Sequence, residues 1–185
     1  MKHIFQTIIF VCLCGINSYG QEKFEAYVAK HTIDTNYLKS VDADNLFSII
    51  AKSDKKLNWV AIYTNYCAGT KHILSNVKKT IEEYKGVNIV LCSSAPYKEI
   101  PDLFKVLRKY DINITPVYII NTNRHKEKGD DRYKGFMFRK EICQECQKDI
   151  IGVPYSILFD DEGKVVRYGY LHSEELFPIF ESYKN

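Results

Sequence analysis

The chain has 185 residues, of which 45% are hydrophobic, so it is long enough to form one ordinary globular domain with a buried core. Its formal net charge is +3, from 26 Lys and Arg against 23 Asp and Glu. Because the basic residues are scattered among acidic ones, this charge balance gives no support for a nucleic-acid partner.

The N-terminal segment has the pattern of a secretory signal peptide. An apolar run from Ile4 to Leu13 is followed by the small residues Ser18 and Gly20, just before Gln21. The pattern predicts a signal peptide over residues 1–20, cleaved before Gln21, and therefore an exported protein, periplasmic or secreted. An uncleaved membrane anchor is the alternative, although the apolar run is shorter than the roughly 20 residues that a membrane span needs.

Residues 21–41 show no strong periodicity, and we expect an extended arm or an extra edge strand there. Periodicity becomes clear from residue 42 onward, where apolar residues at helical spacing alternate with short, buried-type strands. The predicted helices cover residues 42–52, 66–84 and 100–110, and the predicted strands cover 57–64, 87–93 and 114–120. The connections between these strands are long enough to contain a helix, which favours parallel pairing between the strands.

The end of the chain predicts an antiparallel hairpin followed by a helix. Strands over residues 155–160 and 164–170 flank a turn at Asp160 to Gly163, and a helix begins near Ser173. Before this hairpin, residues 121–140 are mostly polar and charged, which predicts a solvated insertion without a core of its own.

Cys67 lies in the sequence "NYCAGTK", at the junction between a predicted strand and a predicted helix. The thiolate is the reactive form of cysteine, and a helix N-terminus stabilises it through the helix dipole and unpaired backbone N–H groups. Lys71 and His72 add positive charge nearby. The pattern therefore predicts a nucleophile at Cys67, with a small buried hydrophobic residue as the alternative.

Three further cysteines remain after signal cleavage: Cys92, Cys143 and Cys146. In an oxidising compartment we expect Cys143 and Cys146, spaced as Cys-x-x-Cys, to pair with each other while Cys67 stays free. That pair is either a structural disulfide or the source of a resolving thiol for Cys67. A zinc site is a weaker alternative because the other ligands would have to be recruited singly from Cys92, His125 and His172. Cys92 itself ends an apolar run and is expected to be a buried strand residue.

Two segments of the chain resemble the thioredoxin-like superfamily, and in particular its exported TlpA-type branch. "WVAIYTNYCAGT", residues 59–70, resembles the family's strand, aromatic residue and nucleophilic cysteine. "IIGVPYSILFDDEGKVV", residues 150–166, resembles its Gly-Val-Pro loop, strand and hairpin. The resemblance covers residues 42–185 and implies an α/β fold with a central mixed sheet flanked by helices. It also implies a cis peptide bond before Pro154, next to the active sulfur.

The resemblance further implies a substrate groove that includes Tyr66 and Val153. The chain departs from the family at Thr70, where the second active-site cysteine is expected. A threonine cannot resolve a mixed disulfide, so dithiol turnover at residues 67–70 is excluded, whereas monothiol exchange resolved by an external thiol is not. We expect the Thr70 hydroxyl to donate a hydrogen bond to the sulfur of Cys67.

The sequence therefore predicts an exported thioredoxin-like protein that performs monothiol exchange through Cys67. A catalytically degenerate module that binds peptides or proteins is the alternative. A peroxiredoxin-like peroxidase is a lesser one, because Thr64 precedes Cys67 as in that family but Val60 stands where it carries proline. Expected partners are thiols and disulfides of proteins or small molecules and a membrane or periplasmic redox partner. No cofactor or metal is expected, and the oligomeric state stays undetermined.

Overall fold

A computed structural model describes residues 18–114, 116–121, 134–148 and 152–184 of the chain. The predicted signal peptide lies outside these residues apart from its last three, which begin a helix that continues past Gln21. Within the described ranges, no helix combines the length and the apolar character needed to cross a membrane.

The described residues form a sheet with helices between its strands. The helices are α1 (Ser18–Lys30), α2 (Ala43–Ala51), α3 (Thr70–Glu83), α4 (Ile100–Lys109), α5 (Lys134–Ile142) and α6 (Ser173–Glu181). The strands are β1 (Leu38–Val41), β2 (Leu57–Tyr63), β3 (Val87–Ser93), β4 (Val117–Ile120), β5 (Tyr155–Asp160) and β6 (Val165–Gly169). Short 3-10 turns at Tyr97–Glu99 and Glu145–Lys148 precede α4 and follow α5.

The sheet is mixed, with strand order β1-β4-β3-β2-β5-β6. Strand β2 pairs in parallel with β3 and antiparallel with β5, so it occupies the middle of the sheet. Strands β1, β4 and β3 are mutually parallel, and β5 and β6 form the predicted antiparallel hairpin. The predicted α/β class, with a central mixed sheet flanked by helices, is confirmed.

All seven residues of β2 are buried because helices cover both faces of the sheet. Successive side chains point to opposite faces, so Trp59, Ala61 and Tyr63 join one hydrophobic cluster while Val60 and Ile62 join the other. The first cluster includes side chains of α1, α3, α4 and α6, and the second includes side chains of α2 and α5. The chain at the end of β2 is thus held from both sides.

The start of α2 illustrates how local chemistry places these elements. The Asp42 carboxylate accepts a hydrogen bond from the Asn45 backbone N–H, and the Asn45 side chain accepts one from the Asp42 N–H, both at 2.9 Å. This capping box satisfies two backbone donors that the first helical turn leaves without partners. It fixes the predicted helix directly after Asp42.

The prediction for residues 21–41 needs correction. Strand β1 does lie at the sheet edge, but the preceding residues form helix α1 instead of an extended arm. Phe24 and Val28, one helical turn apart, are both buried in the first cluster. Two such residues give little periodic signal, and the helix gains its stability from packing on the sheet.

The prediction of a solvated insertion over residues 121–140 also needs correction. Residues 122–133 lie outside the described part of the chain, but the C-terminal end of the segment belongs to α5. Phe138 and Ile142 of this helix are buried in the second cluster. Because these few apolar residues stand among many charged ones, they give no clear helical periodicity in the sequence.

Phe180 of α6 tests the first cluster. Its ring is fully buried and lies 5.5 Å from that of Trp59 and 5.6 Å from that of Tyr84, measured between ring centroids. We expect Phe180→Ala to lower the free energy of unfolding by about 3–5 kcal/mol, because it removes a buried ring and leaves a cavity. Denaturant unfolding measures this loss. The matched control is Phe47→Ala, at a ring that is 40% exposed, and an equal loss in both variants would contradict the core position of Phe180.

Candidate functional site

Cys67 lies between the end of β2 and the start of α3, where the central strand delivers the chain to the edge of the sheet. It is a free cysteine with a half-buried side chain. Its thiol donates a hydrogen bond to the carbonyl oxygen of Val153, and the sulfur and oxygen are 3.0 Å apart. The structure therefore brings together the two segments on which the family resemblance depends.

The turn that carries Cys67 leads directly into helix α3. The Thr70 backbone N–H donates to the Cys67 carbonyl, and the N–H groups of His72 and Ile73 donate to the Gly69 carbonyl. Gly69 is the residue before the helix, and having no side chain it provides no cap. The predicted position of Cys67 at a strand-to-helix junction agrees with this geometry.

Thr70 does not contact the Cys67 sulfur in the predicted way. Its side chain is buried, and its hydroxyl donates to the carbonyl oxygen of Thr64 at 2.5 Å. A hydroxyl has a single proton to donate, so the predicted hydrogen bond from Thr70 to the sulfur is wrong. Thr70 instead ties the first turn of α3 back to the end of β2.

The loop before β5 packs against the cysteine turn. The peptide bond between Val153 and Pro154 is cis, and Pro154 is buried. A Cβ atom added to Gly69 would lie 2.8 Å from two ring carbons of Pro154 and 2.9 Å from the hydroxyl oxygen of Tyr170. Such distances are too short for real contacts, so only glycine allows this approach. The sequence carries one signal for this role, the glycine between Cys67 and Thr70.

A shallow groove runs beside Pro154. Its walls include His72 from α3 and Tyr170 and His172 from the segment between β6 and α6. The rings of Tyr170 and His172 meet edge to face with centroids 4.9 Å apart. This surface combines a proline, an aromatic ring and two imidazoles, and it adjoins the turn that carries Cys67.

Tyr66 lies on the other side of the cysteine, toward α4. Its side chain is 67% exposed, which makes it the most exposed of the large hydrophobic side chains in the described residues. Partial desolvation, and then the carboxylates of Glu99 and Asp102, raise the pKa of its phenol. Tyr66 is therefore exposed to solvent, but it does not share the groove wall formed by His72 and Tyr170.

Cys143 and Cys146 form a disulfide, with their Cα atoms 5.3 Å apart. Both sulfur-bearing residues are buried, at 1% and 0% exposure, within the second hydrophobic cluster. This is the pairing that we expect for the resting protein. The burial favours a structural disulfide over a resolving thiol, because a buried sulfur must first be uncovered before it can exchange.

Cys92 is the remaining cysteine of the described residues. Cys92 is fully buried in β3, and desolvation raises the pKa of its thiol, which keeps it protonated and unreactive.

Across residues 18–114, 116–121, 134–148 and 152–184, no cluster of three or more His, Cys, Asp or Glu side chains could hold a metal ion. His125, the third ligand considered for zinc, lies outside the described residues.

No protein-family model matches the chain. No curated protein matches it either. Solved structures do match. A thiol:disulfide interchange protein of the thioredoxin family from Chlorobium tepidum is 15% identical, with a TM-score of 0.51, and the match covers 75% of this chain and 84% of that one.

Two Bacteroides structures are also similar. One is described as the C-terminal domain of a thiol-disulfide oxidoreductase from Bacteroides thetaiotaomicron, at 14% identity and a TM-score of 0.50, covering 71% of this chain and 80% of that one. The other is the thioredoxin domain of a thiol-disulfide oxidoreductase from Bacteroides vulgatus, at 21% identity and a TM-score of 0.46, covering 70% and 80%. The strand order, together with the similarities to the Chlorobium tepidum and Bacteroides thetaiotaomicron structures, shows that the chain has a thioredoxin-like fold.

Proposed function

We propose that this protein is an exported thiol-disulfide exchange protein that uses Cys67 as its single nucleophile. The observation that carries the proposal is the position of Cys67, half-buried just before α3 and in contact with the loop that contains the cis-proline. A half-buried thiol in that position is accessible to substrate, unlike the buried thiol of Cys92. The solved structures of similar fold from Chlorobium tepidum and Bacteroides thetaiotaomicron carry names from thiol-disulfide chemistry, which supports the same assignment.

The reaction needs two exchange steps. The Cys67 thiolate attacks one sulfur of a substrate disulfide, so that a bond forms from Cys67 to that sulfur and the other sulfur leaves as a thiolate. An external thiol then attacks the mixed disulfide. It forms a new disulfide with the substrate fragment and releases Cys67 as a thiolate, ready for another cycle.

The external thiol is required because the chain has no suitable resolving group near Cys67 among the described residues. Thr70 occupies the usual position of a resolving cysteine, and its hydroxyl is bonded to Thr64. Cys143 and Cys146 are bonded to each other inside the second cluster. Each proposed cycle therefore uses one external thiol to release Cys67. Export to an oxidising compartment is consistent with the internal disulfide.

A second candidate function is peptide or protein binding without catalysis. The exposed ring of Tyr66 favours it, since aromatic side chains are common anchors for a partner. The two functions differ in their dependence on sulfur. A binding module keeps its affinity for a disulfide-containing peptide when Cys67 becomes serine, whereas an exchange protein loses the covalent product.

The first prediction separates Cys67 from Cys92. We expect wild-type protein to form a mixed disulfide with a small aromatic disulfide reagent at one site only, and Cys67→Ser to form none. Cys92→Ser is the matched control and should react like wild type, because burial keeps Cys92 protonated and inaccessible. Intact mass spectrometry counts the adducts. A folded Cys67→Ser protein that still forms the adduct would refute the proposed nucleophile.

The second prediction concerns Thr70. We expect Thr70→Cys to form an internal disulfide with Cys67 under mild oxidation and to gain dithiol reductase activity on a protein disulfide substrate. The cysteine turn, the helix start and Pro154 already surround this position. Thr70→Ser is the matched control, since it keeps a hydroxyl that can bind the Thr64 carbonyl but offers no thiol. Peptide mapping and a turbidity assay of reduction provide the measurements, and absence of the 67–70 disulfide would contradict the assumed geometry.

The contact between Gly69 and Pro154 matters for function because it sets the distance between the cysteine turn and the cis-proline loop. A side chain at residue 69 would push the Pro154 ring away and separate Cys67 from Val153. The contact is therefore as much a part of the site as the sulfur itself.

The third prediction follows from this contact. We expect Gly69→Ala to destabilise the protein by about 1–3 kcal/mol through overpacking and to change the rate of mixed-disulfide formation at Cys67. Gly152→Ala is the matched control, because no atom lies within 4 Å of a Cβ built there. Thermal unfolding and stopped-flow exchange measure the two effects. A Gly69→Ala protein with wild-type stability and exchange rate would show that the close approach is unimportant.

A further inference from the structure

We propose that helix α5 is a positioning element for the nucleophile, and that Gly135 is the residue through which it acts. The proposal rests on the thiol exchange proposed for Cys67 and names the part of the fold that holds the hydrogen-bond acceptor of its thiol. Three contacts of α5, at its start, its middle and its end, carry the argument.

The start of α5 packs against the residue that binds the thiol. A Cβ added to Gly135 would lie 2.8 Å from Cγ1 of Val153, 3.3 Å from Cγ2 of Ile62 and 3.3 Å from Cβ of Ser94. Gly135 is buried, so the helix backbone itself presses on the Val153 side chain and on the end of β2. The carbonyl of the same Val153 accepts the hydrogen bond from Cys67. A shift of α5 is thereby transmitted to the acceptor of the thiol proton.

The middle of α5 holds the other side of the cis-proline. Arg139 lies about one turn after Gly135, is 1% exposed, and stacks its guanidinium 4.2 Å from the centroid of the Tyr155 ring. Tyr155 directly follows Pro154 in the chain. One helix therefore contacts the residues on both sides of Pro154, Val153 through Gly135 and Tyr155 through Arg139.

The end of α5 is tied by the disulfide. Cys143 is the residue after the helix, and its backbone N–H donates to the Arg139 carbonyl at 3.0 Å. The Cys143–Cys146 bond closes the next turn, and the Cys146 N–H donates to the Cys143 sulfur at 3.1 Å. This gives the buried disulfide a task beyond general stability, because it limits movement of the helix that presses on Val153.

The chemical consequence follows from the direction of the hydrogen bond. The Val153 carbonyl accepts a hydrogen bond from the Cys67 thiol, and this bond must break before the sulfur can react with a reagent. As long as α5 holds Val153 in place, the resting thiol is restrained. Displacing Val153 removes that hydrogen bond and leaves the sulfur free to react.

The test is Gly135→Ala, read out by alkylation of Cys67 at neutral pH and by the ultraviolet absorbance of its thiolate. We expect alkylation to become about two- to tenfold faster, the factor that corresponds to losing one ordinary hydrogen bond. Alanine favours helix over glycine, so the gain cannot come from a weaker α5.

Two controls separate positioning from general destabilisation. Gly86→Ala introduces a clash with the Tyr183 backbone oxygen, far along the chain from the cysteine turn, and Gly152→Ala introduces none. Both should keep the wild-type alkylation rate even if Gly86→Ala unfolds at a lower temperature. If Gly135→Ala does not fold, Cys143→Ala/Cys146→Ala is the deciding variant, and it too should alkylate faster.

A Gly135→Ala protein, or failing that the double cysteine variant, that alkylates no faster than wild type overturns the positioning role. Alkylation needs no disulfide substrate, so this result is independent of the proposed function. If wild-type Cys67 alkylates but never forms a mixed disulfide, the exchange function fails while the effect of Gly135→Ala still reports on α5.

Discussion

The site depends on one close contact, the packing of Gly69 against the ring of Pro154. Cys67 reaches its position at the end of the central strand β2, and Val153 reaches its own through the loop before β5, so nothing local in the chain joins them. The glycine lets the two backbones approach until the Cys67 thiol can donate to the Val153 carbonyl. Since β2 and β5 pair in the middle of the sheet, the core holds both segments rigidly.

The chemistry that this contact supports is that of a lone thiol. A paired thiol would exchange with its neighbour and complete the reaction internally, but at residue 70 the chain places a hydroxyl that serves structure instead. Cys143 and Cys146 are bonded to each other in the core, and Cys92 is buried in β3. Cys67 is thus the one cysteine of the described residues whose side chain is not buried.

The two faces of the sheet contribute differently to this arrangement. The first face carries four helices and a dense aromatic cluster that includes Trp59 and Phe180, and it supplies most of the core. The second face carries α2 and α5 with the disulfide, and its side chains reach the cis-proline loop from the opposite side. The first face therefore supplies most of the core. On the second face, α5 and its disulfide belong to the cluster against which Val153 packs.

Much of the architecture could be predicted from periodicity alone. Apart from α5, the strand and helix patterns after residue 42 predicted the correct order of elements, because each of these elements carries enough buried residues at its own spacing. The same reasoning placed Cys67 at a strand-to-helix junction and paired Cys143 with Cys146, since both inferences depend on neighbours in the chain. Helix α1 and helix α5 were missed, because each buries only a few apolar residues among many polar ones, and its stability comes from the sheet that it covers.

What the sequence determined by itself was the set of residues at the site: one cysteine at a helix start, a threonine three residues later, and a Gly-Val-Pro loop. What only the tertiary structure decided was how these groups face one another. The direction of the Thr70 hydroxyl toward Thr64, the need for glycine at residues 69 and 135, and the choice of Val153 as partner of the thiol all depend on contacts between distant segments. Such contacts leave no periodic trace, because they are set by the packing of whole layers and not by the order of residues along one element.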